Sequence, residues 1–247
     1  MHPNLSFDMS SPLIKNQNSL LSAMPTPEFE RWAPHLEWAD LKLGQVLQES
    51  GKLMSHVYFP TTSIISLLCV LEDGSSTEIS VIGREGVLNI TQIMSGHATL
   101  SRAVVQSAGA ALRLRAYEIQ QDFNNSNEVM HLMLRYTEAL MAQMTQTAVC
   151  NRHHTLDQQL CRWLLLSLDR LRSNDLRMTQ ELIANMLGVR REGVTSAALK
   201  LQHSGLISYS RGLIHVLDRP GLEARSCECY AVVKKEYDRL LPRSVGA

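Results

Sequence analysis

Residues 178–201 constrain the fold of this chain more than any other stretch: Met-Thr-Gln-Glu-Leu-Ile-Ala-Asn-Met-Leu-Gly-Val-Arg-Arg-Glu-Gly-Val-Thr-Ser-Ala-Ala-Leu-Lys-Leu. Leu182, Ile183, Met186 and Leu187 recur at helical spacing and give a first short helix one buried face. Gly188 follows, and glycine adopts without strain the positive φ that ends a helix. Val194, Ala198 and Leu201 give a second helix its own buried face. The remaining face carries Arg190, Arg191, Glu192, Thr195, Ser196 and Lys200, side chains able to reach base edges or phosphates from a major groove. The pattern is that of a helix-turn-helix, and it implies a role in transcription.

Two helices of this kind also make an ordinary helical hairpin. The DNA reading is favoured by the segment directly downstream, Leu206 to Leu217, which alternates apolar with polar around Arg211-Gly212 and predicts two strands with a tight turn, a wing. The formal net charge is zero, a poor match for a nucleic-acid binder until the chain is divided. Residues 1–150 hold nine Lys/Arg against fourteen Asp/Glu, residues 151–217 nine against five, and the tail from 218 six against five. Basic charge is therefore concentrated where phosphates would be met.

The chain has 247 residues, enough for two modest domains. No apolar run approaches the length that spans a bilayer, and Met1-His-Pro-Asn-Leu-Ser lacks a basic n-region followed by an apolar stretch, so a cytoplasmic protein with no membrane partner is expected. The five cysteines, Cys69, Cys150, Cys161, Cys227 and Cys229, are odd in number and scattered, which excludes a disulfide framework.

Four segments are expected. Residues 1–126 begin with a polar, unpatterned stretch (1–12), then two short helices, Leu13–Met24 and Pro27–Leu36, separated by Pro25. Short β-type runs follow: Lys42–Gln48, His56–Phe59, Ser63–Leu71, Thr77–Ile82, Ala103–Gln106 and Ala111–Leu114, divided by turn signals. Many short strands at this spacing predict a compact barrel or jelly roll. Residues 127–154 switch to helical period, with Met130, Met133/Leu134, Thr137, Leu140/Met141, Met144 and Ala148 along one stripe. A stripe of this kind more often packs on its own domain. Here the helix leaves a β domain and precedes a DNA reader, so pairing with a second copy through Met130, Leu134, Thr137, Met141, Met144 and Ala148 is the better expectation. Thr155-Leu-Asp-Gln158 fits a capping box, which breaks the long helix near His154 and starts another from Leu156 to Leu171. Residues 155–217 then hold the winged helix-turn-helix, and 218–247 a helical extension.

A β-roll, a long dimerisation helix and a winged helix-turn-helix with Arg-Glu early in its second helix make an α+β chain. This order resembles the Crp/Fnr family of bacterial transcription regulators over nearly the whole length. The resemblance implies a homodimer on a pseudo-palindromic double-stranded operator, a sensor roll, and RNA polymerase as a partner. Family recognition helices commonly present Arg-Glu and another Arg a turn later; Arg191 and Glu192 match the first two, and Ser196 stands in the third place. Arg191 can grip a guanine through O6 and N7, and Glu192 can accept from a cytosine amino group. Arg190, Lys200 and Arg211 are expected on phosphates, with Thr179 and Gln180 holding the backbone.

The effector side fits the family less well. Cyclic-nucleotide members resemble one another through Gly-Glu-Leu and, about ten residues later, Arg-Ser or Arg-Thr. Here Gly83, Glu85 and Gly86 are followed by Val87, and Ser101 falls at the phosphate arginine, with Arg102 one position off and so on the opposite strand face. Cyclic AMP is not expected, and the effector is an unidentified small molecule or none. Family iron–sulfur sensing uses clustered cysteines near the amino terminus, where the first here is Cys69; haem would need His56 or His97 as axial ligands. No cofactor is expected.

Cys150, His154, Asp157 and Cys161 would share one face of a continuous helix and are metal-ligand types, but the capping box separates them. A redox or metal response through Cys150, His154 and Cys161 is an alternative, as is, from another class, a thiol enzyme pairing Cys150 with His153 or His154. Nothing in the sequence supplies that enzyme with an oxyanion hole. A binding protein that has kept the fold without reading DNA is a further rival. Cys227-Glu-Cys229 falls in an expected last helix, Gly221–Leu241, where two thiols about 200° apart make a poor clamp and read as packing.

Overall fold

The computed structural model describes residues 12–171 and 173–241; the polar stretch 1–11 and the last six residues of the expected extension lie outside them. The amino-terminal helices are shorter than the sequence predicts. Helices α1 (Pro12–Lys15), α2 (Ser19–Ser22) and α3 (Thr26–Trp32) replace the two expected ones, with a 3₁₀ turn at Ala33–His35. Asn18 is the physical reason. Its side-chain oxygen accepts from the backbone N–H of Leu20 and Leu21, and its amide donates to the carbonyls of Pro60 and Gly86, each at 2.9 Å. Turning this buried amide inward breaks the helix and pins it to the roll.

The roll contains β1 (Glu37–Leu41), β2 (Val46–Gln48), β3 (His56–Pro60), β4 (Ile64–Val70), β5 (Ser76–Ile82), the short helix α4 (Ile90–Ser95), β6 (Arg102–Ser107) and β7 (Gly109–Arg115). They form two antiparallel sheets, β1-β7-β3 and β2-β6-β4-β5. β1 was not expected, since Glu37-Trp-Ala-Asp-Leu41 has no clear alternation and is largely exposed. The expected strand Lys42–Gln48 begins only at Val46, because Gln45 closes a turn on Lys42 around Gly44, whose φ is +76°. Leu41, Val57, Phe59, Ile65, Ile82, Leu88, Val105 and Leu112 fill the interior.

Helix α5 (Ala116–Asn125) leads into α6 (Asn127–His153), a helix of 27 residues with the bounds that the stripe predicts. Its inner face, Val129, Leu132, Met133, Tyr136, Ala139 and Leu140, packs into the roll's core. The break after His153 is the predicted one: Thr155 and Gln158 form the reciprocal capping box that opens α7 (Leu156–Leu168).

Strand β8 (Asp175–Arg177), α8 (Gln180–Leu187), α9 (Arg191–His203), β9 (Ile207–Ser210) and β10 (Leu213–Val216) follow, with a small sheet in the order β8-β10-β9. The expected helix Gly221–Leu241 is two helices, α10 (Arg219–Arg225) and α11 (Glu228–Leu240), separated by extended backbone at Ser226 and Cys227. The break lets α10 pack on α7 while α11 lies along α6. A second core unites α7, α8, α9 and the wing with Ile64, Leu68 and Val81 of the roll, so α8 seats on β5.

Candidate nucleic-acid interface

Thr179 opens α8 by accepting from the Leu182 N–H at 3.2 Å, which assigns its oxygen to a cap. Gly188, at φ +65°, closes α8, and the turn Gly188–Arg190 delivers the chain to α9. Val194, Ala197, Ala198 and Leu201 bury one side of α9, while Arg190, Arg191, Glu192, Ser196 and Lys200 are exposed on the other. Thr195 is held at the boundary, its hydroxyl 2.7 Å from Gln180 Oε1 and 3.0 Å from the Arg191 carbonyl. Thr195 and Gln180 thus brace α8 against α9. Lys200 Nζ sits 3.3 Å from Asp157 Oδ2 on α7, so its charge is already partly compensated.

The wing is a two-residue hairpin, Ser210 pairing with Leu213 across Arg211 (φ +50°) and Gly212 (φ +76°). Two successive positive φ values are those of a type I′ turn, whose twist suits adjacent strands. Its tip presents Arg211 to solvent. Tyr209, not singled out from sequence, ties the wing down: its backbone N–H donates to Gln202 Oε1 on α9 and its hydroxyl to the Met178 carbonyl at 2.8 Å. β8, also missed, is too short to leave a periodicity.

Residues 158–225 match the sequence profile of the Crp-like helix-turn-helix domain. This segment is a Crp-like helix-turn-helix domain. Solved structures extend the likeness to the whole fold. FixK2 from Bradyrhizobium japonicum superposes with a TM-score of 0.65 at 15% identity, over 78% of this chain and 98% of its own. A CRP-family transcriptional regulator from Thermus thermophilus gives 0.64 at 17% identity, over 76% and 96%. A Eubacterium rectale protein assigned to the Crp/Fnr family gives 0.66 at 18%, over 85% and 98%. No curated protein sequence matches the chain. The chain thus has the architecture of Crp/Fnr regulators, with its Crp-like domain seated against the roll.

Of the five expected effector residues, Gly83, Glu85 and Gly86 share one tight loop, in which the Gly83 N–H donates to Glu85 Oε1 at 3.1 Å and the Gly86 N–H to the Gly83 carbonyl. Glu85 also pairs with Arg170, just past α7, at 2.7 Å. A Cβ on Gly83 would strike the Arg170 side chain, and one on Gly86 the Tyr136 ring, so both glycines serve close packing against the helices. Arg102, on β6, pairs with Glu49 at 3.2 Å near the surface while Ala103 points into the core, as a one-residue offset on a strand requires. Ser101 precedes that strand. Arg170, which sequence reasoning missed, also donates to Gln143 Oε1 on α6 and to the Leu166 carbonyl, each at 2.6 Å. A cavity of about 330 Å³ opens beside this junction, lined in part by Arg84, Glu85, Asp169, Arg170 and Tyr237. His56 is half-buried on β3 beside Ser55, and His97 is exposed in the loop after α4.

On α6 the expected seam divides. Leu134 (39% exposed) and Met141 (61%) face outward with Ala148, Met130, Thr137 and Met144 are half-buried, and Met133 and Leu140 belong to the core. The metal set expected from the sequence is corrected. Cys161 sits in the core of the Crp-like domain, where burial pushes its thiol up to about 12, whereas Cys150 and His154 meet Cys227 and Cys229. The Cys150 thiol is held above its ordinary value by its hydrogen bond to Cys227 and by burial, the opposite of what a nucleophile needs.

Proposed function

We propose that the protein is a homodimeric, sequence-specific transcriptional regulator. In this reading 1–126 form the sensor, 127–154 the dimerisation helix, 155–217 the reader and 218–247 a helical extension. The observation that carries it is the exposed face of α9, where Arg191, Glu192 and Ser196 stand clear of the core beside a wing tipped by Arg211. Arg191 reads a guanine and Glu192 a cytosine, while Arg190 and Arg211 contact phosphates. Thr179 and Gln180 place the start of α8, with its free N–H groups, against the backbone.

Residues 130, 134, 137, 141, 144 and 148 repeat at intervals of four and three, the a/d spacing of a paired helix. Joining two copies along this seam gives a pair of recognition helices for an inverted repeat. The roll acts as a sensor that does not use cyclic AMP, because Ser101 stands where the phosphate arginine would be, Arg102 is paired with Glu49 instead, and Glu85 is engaged with Arg170. Its effector shifts the population of reader orientations, and the promoter complex includes RNA polymerase in the cytoplasm. Among the described residues, no helix is long and apolar enough to cross a membrane.

Selection from a random duplex pool by the purified full chain, with complex stoichiometry measured alongside, tests the proposal. An enriched inverted repeat bound by two chains is expected. Enrichment of a single half-site by one chain would remove the dimer, and no enrichment with or without cell extract would remove the DNA reader.

A further inference from the structure

Cys150 and, 77 positions further on, the pair Cys227 and Cys229 converge at the end of α6. Cys150 lies in the last turn of that helix, His154 caps it, Cys227 occupies the cap position before α11 and Cys229 its first turn. The Cys150 and Cys227 sulfurs are 3.5 Å apart, Cys229 Sγ is 3.5 Å from His154 Nδ1, and all four ligand atoms lie within 4.8 Å of one another. In a tetrahedral site with metal–sulfur bonds near 2.3 Å, ligand atoms are separated by about 3.8 Å. Two separations of 3.5 Å and a largest separation of 4.8 Å bracket that edge, so a side-chain adjustment of about 1 Å seats one ion among the four ligand atoms. Placing Cys227 outside the helix removes the 200° divergence that a continuous helix would impose on Cys227 and Cys229.

Three further observations distinguish this group from ordinary packing. The buried thiols of Cys150, Cys227 and Cys229 form a cluster of their own, apart from both main cores. His154 presents Nδ1 to the thiols while its Nε2 lies 3.4 Å from Glu228, the carboxylate partner that orients a metal-bound imidazole. The Arg162 guanidinium, buried within electrostatic reach of Cys150 and Cys229, leaves its Nε without a hydrogen-bond partner. Gln159 adds rigidity, its amide lying within hydrogen-bonding reach of the His154 carbonyl (2.9 Å) and the Cys150 carbonyl (3.4 Å).

We propose that Cys150, His154, Cys227 and Cys229 form a Cys₃His site for a zinc-class divalent cation that staples the end of α6 to the start of α11. Loading transfers three thiol protons to solvent and leaves three thiolates, a neutral imidazole and a dication, a net charge of minus one that Arg162 offsets. The cation fixes the break between α6 and α7, from which the Crp-like domain hangs. This inference does not depend on what α9 binds.

The test is metal content of the full chain purified without chelator, followed by removal of the metal and titration with cobalt(II). Close to one zinc per chain and intense sulfur-to-cobalt charge-transfer absorption are expected, both retained in Cys161→Ala and lost in Cys227→Ser. Should the serine variant fail to fold, the wild-type cobalt spectrum decides alone. Reduced, folded wild-type protein that holds no zinc and develops no such absorption would overturn the site. So would a spectrum unchanged in folded Cys227→Ser.

Discussion

Trp163 on α7 donates its indole N–H to Glu78 on β5 at 3.0 Å, so the Crp-like domain and the roll share a hydrogen bond to a buried carboxyl. The other Glu78 oxygen is 2.5 Å from Ser66 Oγ, which lies 2.9 Å from Gln106 Oε1, and the Gln106 amide donates to Ser167 Oγ on α7 at 3.0 Å. Ser66 has one hydrogen for two acceptors. A protonated Glu78 resolves this, donating to Ser66, which donates to Gln106. The chain of bonds then runs unbroken from one domain to the other.

Burial raises the Glu78 carboxyl from 4.5 to about 7. The folded protein therefore holds a proton that the unfolded chain releases between these values. Its stabilising contribution is full below about 4.5 and falls as pH rises toward 7, by a few kcal/mol in all. Urea midpoints measured from pH 5 to 8 should decline more steeply for the wild type than for Glu78→Gln. Parallel declines would contradict the assignment.

Arg170 joins the loop after β5 to α6, α7 and α11 through Glu85, Gln143, the Leu166 carbonyl and the Tyr237 ring, whose centroid is 5.6 Å from its guanidinium carbon. Removing one partner of a buried ion pair costs about 3–5 kcal/mol. Arg170→Met should lose about that much in chemical denaturation. Glu85 keeps some solvent contact, so Glu85→Gln should lose less. Equal losses would mean that the pair, and not the wider junction, carries the energy.

The outward seam of α6 gives a test of assembly. Met141→Glu places a charge at an exposed position, where a monomer tolerates it and a paired helix does not. Sedimentation equilibrium should show the variant at least tenfold weaker in self-association with its melting unchanged at low concentration. A variant as tightly associated as the wild type would locate the dimer elsewhere.

How much was legible beforehand follows from what leaves a periodic trace. Gly188 with its flanking apolar residues, the Thr155–Gln158 box and the α6 stripe are local signals, and helices α6, α8 and α9 stand where those signals place them. α4, β1 and β8 are short or irregular and leave none. Glu85, Arg170 and Glu78 have partners 85 residues away, so no spacing rule could pair them. Cys227 and Cys229 were misjudged because a continuous helix was assumed across Ser226, and the break there turns the thiols toward Cys150.

The central claim, that α9 reads bases through Arg191, is tested most directly by the affinity of Arg191→Ala for the selected duplex and for a scrambled one at fixed salt. A loss of about 1–3 kcal/mol confined to the selected duplex is predicted. An equal loss on both duplexes would reduce Arg191 to a phosphate contact, and no loss on either would contradict the account.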